Sequence, residues 1–273
     1  MNKNIKLLVF DIDGTLINDD RELIDENIKV IKELKKKGLR IVLNSGRTFN
    51  SMWRVRQGLG LMDFDDYSIC GTGAFVRQNA DGKAIISNPL GKKDYERISK
   101  MLEGEDVQLS IHSKNYLYLN AEKPNRGFLA DQEQVGLAWM KFRDFEDIED
   151  GISRVAIAGE PETLDRIYQK YEKDLEKDYK LMRNEVHIME VLNKNSGKSE
   201  SLKKLLEILK LDPEEVMYFG DGMNDVKSLE LAGVGVAMGS GQKKAQEAAR
   251  YVIGNNNEAS IAKFLREYFS LDD

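Results

Sequence analysis

The chain has 273 residues, of which 41% are hydrophobic and 32% charged, with both signs interspersed. This composition is that of a folded globular protein with one large domain or two smaller ones, and it excludes a disordered chain. The formal net charge of -6 and the pI of about 5.3 argue against nucleic acid as the main partner, because a phosphate backbone requires a basic face.

The first part of the chain alternates predicted strands and helices. Residues 5–10 form a nearly continuous apolar run that predicts a strand buried on both faces, and apolar residues at helical spacing over 24–34 predict the next helix. A second strand is predicted over 39–43, a second helix over 48–57 and a third strand over 67–70. This alternation predicts the α/β class with a doubly wound, mainly parallel sheet.

The pattern changes after about residue 82. Alternation over 107–111 and 116–119, around a Ser-Lys-Asn turn, predicts an antiparallel hairpin. The other predicted elements of this region are helices over 94–102 and 161–177 and strands over 152–158 and 186–192. We therefore predict an inserted α+β domain at residues 87–188.

The α/β pattern resumes after the insert. Helices are predicted over 199–209, 226–231, 243–250 and 261–269, and strands over 216–219, 234–238 and 251–253. The insert therefore interrupts a single α/β domain, which is predicted to comprise residues 1–86 and 189–273.

The cellular compartment is suggested by the cysteine content and by the lack of long apolar runs. Cys70 is the single cysteine, which excludes an intrachain disulfide and fits a reducing compartment. No apolar stretch approaches the ~18 residues of a membrane-spanning helix, and the apolar run near the N-terminus is too short for a signal peptide. A cytoplasmic protein without a membrane partner is therefore expected.

Polar side chains follow several of the apolar strands directly. Asp11 and Asp13 follow the first strand, Ser45 the second, and Asp221 and Asp225 the strand after the insert. Ligands of open parallel sheets bind beyond the carboxyl ends of the strands, so these carboxylates are expected in one crevice. Clustered carboxylates repel each other unless a cation lies between them, and their oxygens suit Mg²⁺. A helix N-cap would explain any one of these aspartates, but it explains the set poorly.

The segment from Asp11 to Gly14 has the residue types that phosphoryl transfer requires. Residues two apart in an extended segment can face the same ligand. One carboxylate can then attack phosphorus to form an aspartyl-phosphate, while the other protonates the leaving oxygen and later deprotonates water. Gly14 permits a sharp turn that brings backbone N–H groups to the phosphoryl oxygens. Ser45 and Gly46 offer a hydroxyl and an unobstructed N–H for one such oxygen, although Ser45 could instead cap the next helix.

A lysine lies where the insert returns to the α/β domain. A fixed ammonium group at Lys198 can offset the charge that spreads over a transferring phosphoryl group. The run Gly-Lys-Ser at 197–199 also precedes a helix, as a P-loop does, but the glycine that a P-loop needs five residues earlier is replaced by Leu192. A nucleotide triphosphatase is therefore disfavoured. The two histidines, His112 and His187, lack metal-ligand spacing and are interpreted as structural or at most as contacts of the substrate.

With these residues the chain closely resembles the haloacid dehalogenase (HAD) superfamily, and within it the Cof-type phosphatases with a type IIB cap. The motifs that carry the resemblance are DIDGTL at 11–16, NSGR at 44–47, Lys198, and GDGMND at 220–225. They occur in this order along the whole chain. The resemblance implies a HAD-like Rossmannoid core and a cap that closes over the leaving group and selects it.

The resemblance also implies a role for each matching residue. Asp11 is implied as the nucleophile and Asp13 as the general acid and base. The implied magnesium ligands are the Asp11 carboxylate, the Asp13 carbonyl and the Asp221 carboxylate, with Asp225 as a further ligand or behind the ligands. The groups implied to hold the phosphoryl group are the Ile12 N–H, Ser45, Gly46, Lys198 and Asn224.

The implied function is magnesium-dependent hydrolysis of a small phosphorylated metabolite, with a sugar phosphate as the expected substrate. Phosphomutase-type transfer is an alternative, but it needs arginines to hold a bisphosphate, and those of the insert form no obvious cluster. A non-catalytic metabolite-binding protein on this fold is another, although every catalytic position is filled. Thr72, Ser199 and the EAS run at 258–260 depart from the usual family pattern.

Overall fold

The computed structural model describes residues 4–148 and 151–271 and divides the chain into two compact units. The first unit takes its described residues from Met1–Gly46, Trp53–Ile86 and Gly197–Asp273, and the second from Arg47–Met52 and Ser87–Ser196. Among the described residues, no helix is both long and apolar enough to cross a membrane.

The predicted strands and helices are present in their predicted order, together with further elements that the sequence pattern did not predict. The strands are β1 (Leu7–Phe10), β2 (Arg40–Asn44), β3 (Tyr67–Cys70), β4 (Phe75–Gln78), β5 (Ala84–Ser87), β6 (Gln108–His112), β7 (Leu117–Leu119), β8 (Trp139–Met140), β9 (Arg154–Ala158), β10 (Tyr179–Glu185), β11 (Ile188–Asn193), β12 (Val216–Gly220), β13 (Val234–Met238) and β14 (Tyr251–Ile253). The helices are α1 (Asp25–Lys36), α2 (Trp53–Leu59), α3 (Lys92–Met101), α4 (Arg126–Val135), α5 (Pro161–Leu175), α6 (Lys198–Leu209), α7 (Val226–Leu231), α8 (Lys243–Ala248) and α9 (Ser260–Phe269).

The first unit is built on an eight-stranded sheet with the order β14-β13-β12-β1-β2-β3-β4-β5. The strands from β14 to β3 run parallel, and β4 is antiparallel to β3. All residues of the central strand β1 are buried, which agrees with a strand covered on both faces. The predicted α/β class with a mainly parallel sheet is therefore confirmed, and β4 and β5 extend the sheet beyond the predicted strands.

The second unit has its own six-stranded sheet with the order β10-β11-β9-β6-β7-β8. Its strands β6 and β7 form the antiparallel hairpin that the sequence predicts. One hydrophobic cluster joins Val155 of β9 to Leu164 of α5, and another joins Ala156 to Phe128 of α4. Since adjacent residues of a strand point to opposite faces, helices cover both faces of this sheet.

The boundaries of the second unit differ from those predicted. The strand β11 pairs with β9 and β10, so the unit extends to Ser196 rather than ending at residue 188. The segment 47–52 also belongs to it, since the Asn50 side-chain amide donates a 2.5 Å hydrogen bond to Oδ1 of Asn115. A helix was predicted over 48–57, but the α-helix of the structure begins only at Trp53. Helix α4 and strand β10 had no clear signal in the sequence pattern.

Candidate active site

Three strands in the middle of the parallel sheet end at a cluster of polar residues. Asp11 follows β1, Ser45 follows β2 and Asp221 follows β12, and β1 lies between the other two strands. One carboxylate oxygen from each of Asp11, Asp221 and Asp225 lies within 4.8 Å of the others. The sheet therefore brings Asp11 together with Asp221 and Asp225, which are far from it in the sequence.

Lys198 is the cation of this cluster. Its Nζ lies 2.7 Å from Oδ1 of Asp11 and 2.8 Å from Oδ1 of Asp225, and the residue is only 2% exposed. Lys198 is the first residue of α6, and Asn44 at the end of β2 donates a 3.3 Å hydrogen bond to its carbonyl oxygen. Backbone and side chain are thus both held, so the ammonium group points at the carboxylates.

Asp225 is held by four donors. The Lys198 ammonium and the Tyr218 hydroxyl donate to its Oδ1, at 2.8 and 2.6 Å. The backbone N–H groups of Asp221 and Gly222 donate to its Oδ2, at 3.2 and 3.1 Å. Both oxygens of the Asp225 carboxylate are therefore engaged by donors.

Gly14 lies against Asp221 in a tight turn after β1. Its φ of +74° is in the left-handed region, and a Cβ atom built there would lie 2.5 Å from Oδ2 of Asp221. A neighbouring hydroxyl, Thr15 Oγ1, donates a 3.0 Å hydrogen bond to Oδ1 of the same carboxylate. The turn thus needs glycine for its backbone conformation and for the space that Asp221 occupies.

The other predicted site residues belong to the same turns. Ile12 and the half-buried Asp13 lie in the turn after Asp11, and Ser45, which is 1% exposed, precedes Gly46 at the end of β2. Asn224 lies in the loop between β12 and α7, with its Oδ1 beside Gly222.

The charges of the cluster are out of balance, since three carboxylates surround one ammonium group. Burial and the Asp225 carboxylate raise the pKa of Asp11 well above its ordinary value, and the same two causes raise the pKa of Asp221. Burial lowers the pKa of Lys198, but Asp11 and Asp225 outweigh it and raise that pKa. A cation among the carboxylates would relieve their repulsion, and carboxylate oxygens are ligands that hard divalent ions prefer. The residues present therefore fit a metal ion.

A turn after β3 contacts two parts of the site. Thr72 has a φ of +54°, which is uncommon for a β-branched residue, and its N–H donates a 3.2 Å hydrogen bond to the Ser45 carbonyl. Gly73 packs directly on the backbone of Gly197, and its carbonyl accepts a 2.7 Å hydrogen bond from the Ser201 hydroxyl. The turn therefore connects the end of β2 with the start of α6.

Sequence reasoning did not single out Tyr218, whose hydroxyl reaches Asp225. Burial and the carboxylates of Asp225 and Asp11 raise the pKa of this phenol well above its ordinary value. The sequence does contain a sign of this contact. Tyr218 carries a hydroxyl inside the apolar run of β12, and a buried phenol usually needs a hydrogen-bond partner. The partner itself could not be read from that run.

The chain matches the family of haloacid dehalogenase-like hydrolases over residues 8–265. It therefore belongs to this family, as the resemblance implied. Among its relatives is the 5-amino-6-(5-phospho-D-ribitylamino)uracil phosphatase YitU of Bacillus subtilis, which is 27% identical over 272 residues, with 97% of this chain and 98% of the relative covered. The chain is a phosphatase of this family.

Solved structures share the whole fold. A haloacid dehalogenase-like hydrolase from Bacteroides thetaiotaomicron superposes with a TM-score of 0.89 at 24% identity, covering 96% of this chain and 99% of that one. The HAD subclass IIB sugar phosphatase BT4131 gives a TM-score of 0.76 at 20% identity, covering 98% of this chain and 100% of that one. At these identities the likeness establishes the fold alone.

Proposed function

We propose that this enzyme is a magnesium-dependent phosphatase that hydrolyses small phosphorylated metabolites, sugar phosphates among them, through an aspartyl-phosphate on Asp11. The observation that carries the proposal is the buried cluster in which Lys198 contacts Asp11 while Asp221 lies beside it. A nucleophilic carboxylate, a fixed cation and a second acidic ligand at the carboxyl edge of a parallel sheet are what phosphoryl transfer to an aspartate requires.

The reaction has two steps in this assignment. A carboxylate oxygen of Asp11 attacks phosphorus, and the bond from phosphorus to the leaving oxygen breaks while Asp13 gives that oxygen a proton. Asp13 then takes a proton from a water molecule, whose oxygen attacks the phosphorus of the aspartyl-phosphate. The phosphorus–oxygen bond to Asp11 breaks, which releases inorganic phosphate and restores the free carboxylate.

The metal site is assigned to the residues around Asp11. The ligands are the carboxylates of Asp11 and Asp221 and the backbone carbonyl of Asp13, while Asp225 supports them from behind through its hydrogen bonds to Asp221 and Gly222. When bound, Mg²⁺ offsets the charge of the carboxylates and of the phosphoryl oxygens.

The remaining residues of the site hold the phosphoryl group. The ammonium group of Lys198, already fixed between two carboxylates, offsets charge on the phosphoryl oxygens in the transition state. The other groups assigned to the phosphoryl oxygens are the Ile12 N–H, the Ser45 hydroxyl, the Gly46 N–H and the Asn224 side chain.

Substrate selection is assigned to the second unit, which corresponds to the cap domain that the family resemblance implies. The name of one relative supports phosphorylated sugars or sugar alcohols as the substrate class, because that relative acts on a 5-phospho-D-ribityl compound. Several arginines of the second unit are already paired with acids, namely Arg97 with Asp178, Arg154 with Asp131 and Glu190, and Arg166 with Glu105. Their pairing counts against a mutase that holds a bisphosphate with arginines.

A screen of phosphorylated metabolites with Mg²⁺ tests the proposal. We expect phosphate release from one or more sugar phosphates by the wild-type enzyme and none by Asp11→Asn, whose circular dichroism spectrum should match that of the wild type. Full activity of Asp11→Asn would refute the aspartyl-phosphate mechanism. A flat screen with folded wild-type protein would favour a non-catalytic binding role.

A further inference from the structure

The buried tyrosine of β12 makes a hydrogen bond that its packing does not require. The ring of Tyr218 is 0% exposed and lies in a hydrophobic cluster with Leu202 of α6 and Leu229 of α7. Its hydroxyl donates a 2.6 Å hydrogen bond to Oδ1 of Asp225. A phenylalanine ring at this position would fill the same space. The hydroxyl therefore has a role that is separate from the ring.

The oxygen that accepts this bond also holds the lysine of the site. Lys198 Nζ lies 2.8 Å from Oδ1 of Asp225 and 2.7 Å from Oδ1 of Asp11. The other Asp225 oxygen accepts the N–H groups of Asp221 and Gly222. Because both oxygens accept hydrogen bonds, the Asp225 carboxylate is held in one orientation. That orientation fixes the position of Oδ1 and therefore of the Lys198 ammonium group that donates to it.

We propose that Tyr218 is a positioning residue for phosphoryl transfer, because its hydroxyl holds Asp225 in the orientation that aims the Lys198 ammonium at the phosphoryl group. The proposal rests on the proposed function, which assigns Lys198 to the phosphoryl oxygens. Without the hydroxyl, Oδ1 of Asp225 has an unused lone pair. One oxygen of Asp225 also lies within 4.8 Å of a carboxylate oxygen of Asp11 and of one of Asp221. The carboxylate can then turn toward a cation bound there, and Lys198 loses its alignment.

The expected effect falls on kcat rather than on KM. Charge spreads over the phosphoryl oxygens in the transition state, so a misaimed lysine loses more interaction there than in the substrate complex. Small misplacements of such groups can lower rates by up to about 100-fold. We expect Tyr218→Phe to lower kcat about 10- to 100-fold and to change KM by less than about twofold.

The test uses the full chain with Mg²⁺ and p-nitrophenyl phosphate. The matched control is Tyr251→Phe, which removes the hydroxyl of a tyrosine on the edge strand β14 that is 37% exposed, and it should keep the wild-type kcat and KM. Tyr218→Phe is then placed in a Lys198→Ala background. Because Tyr218 acts through Lys198, it should cause no further loss there, whereas a merely structural role would add its loss in both backgrounds. Additive losses, or a wild-type kcat for Tyr218→Phe, would overturn the proposal.

A crystal structure of the wild-type enzyme with Mg²⁺ and vanadate keeps the proposal falsifiable even if Tyr218→Phe does not fold. The Tyr218 hydroxyl should remain on Asp225, and Asp225 should stay outside the metal coordination shell; direct ligation by Asp225 with loss of the hydroxyl contact would refute the proposal. Asp11→Asn separates the two levels of inference. If that variant keeps turnover, the proposed function fails, whereas an inactive Asp11→Asn beside a fully active Tyr218→Phe removes only the role of Tyr218.

Discussion

Lys198 and Asp11 are 187 positions apart in the sequence, and the ammonium nitrogen of one lies 2.7 Å from a carboxylate oxygen of the other. Both side chains are almost completely buried. An ion pair removed from water in this way is costly to form, and removing one partner is strongly destabilising because the other charge stays buried without compensation. The stability of the fold therefore depends strongly on Lys198. The pair also holds the Asp11 carboxylate, which is the nucleophile of the proposed mechanism.

The first prediction concerns the loss of that lysine. Lys198→Met leaves the three aspartates without their cation, and unfolding without Mg²⁺ should become easier by about 3–5 kcal/mol. Thermal unfolding in EDTA measures this, and Mg²⁺ should restore part of the loss. Lys227→Met is the control, because the Lys227 side chain is 72% exposed and its replacement should leave the melting temperature nearly unchanged. Equal melting temperatures for the two variants would contradict the prediction.

The second prediction concerns the metal. Mg²⁺ at about 100 times its dissociation constant should stabilise the wild-type protein by about 2.7 kcal/mol, because it binds the folded carboxylate cluster. That corresponds to a rise in melting temperature of about 5–10 °C. Asp221→Asn should lose most of this rise, whereas Asp65→Asn, an exposed residue before β3, should keep it. Identical melting curves in Mg²⁺ and EDTA would argue against a metal site here.

The third prediction separates backbone strain from crowding at the glycine beside Asp221. Gly14→Ala and Gly38→Ala both place alanine at a positive φ, but the new Cβ meets Asp221 at 2.5 Å only in the first case and meets no atom within 4 Å in the second. Each should lose about 1–2 kcal/mol of stability from the backbone conformation. Gly14→Ala should also lose at least ~100-fold in kcat/KM, because Asp221 is displaced. A steady-state assay with retained activity in Gly14→Ala would show that Asp221 can move without consequence.

The fourth prediction concerns pH and the buried histidine of the second unit. His112 Nδ1 accepts a 3.2 Å hydrogen bond from Arg154, and its Nε2 lies 2.8 Å from Oδ2 of Asp131. Burial and the Arg154 guanidinium lower the pKa of His112. Below pH 6.5 the unfolded chain therefore takes up a proton before the folded one does, and the contribution of His112 to stability declines as the pH falls.

The experiment compares wild type with His112→Asn by urea unfolding between pH 7.5 and pH 5. The difference in unfolding free energy between the two proteins should shrink as the pH falls, and the comparison removes the opposing effect of Glu190, whose pKa burial raises. His187→Asn is the control for loss of a histidine outside this network. A constant difference across the range would mean that His112 does not titrate differently in the folded and unfolded states.

Asp131 of the same network responds to stronger acidification. Burial raises its pKa, but His112 and Arg154 outweigh burial and hold the pKa of Asp131 at about 2. The stabilising effect of the Asp131 carboxylate is therefore lost as the pH falls from about 4 toward 2.

Local patterns were sufficient for much of the first unit. The apolar run over 5–10 and the polar residues that follow it predicted both β1 and the position of Asp11, because burial on both faces of a parallel strand leaves a continuous apolar signature. The motifs around Asp11, Ser45, Lys198 and Asp221 were visible in the same way, since each follows a strand or begins a helix. Their convergence followed from one rule about the carboxyl ends of parallel strands.

The parts that were missed depend on contacts between distant segments. Strand β11 has an apolar pattern that suits either sheet, and only its pairing with β9 and β10 assigns it to the second unit. Helix α4 is short and only weakly patterned in sequence, so its position is decided by the sheet face that it covers. Periodicity reports which face of an element is buried, but it carries no information about the neighbour that buries it.

The sequence by itself determined the class of the fold, the order of most of its elements and the aspartates and lysine at their ends, because these depend on residue type and short-range spacing. Only the tertiary structure decided that Lys198 pairs with Asp11, that four donors fix Asp225, that Tyr218 is one of them, and that Gly14 makes room for Asp221. These are contacts of a few ångströms between buried polar groups, and their geometry exists only after hydrophobic packing has set the spacing of the strands and helices that carry them.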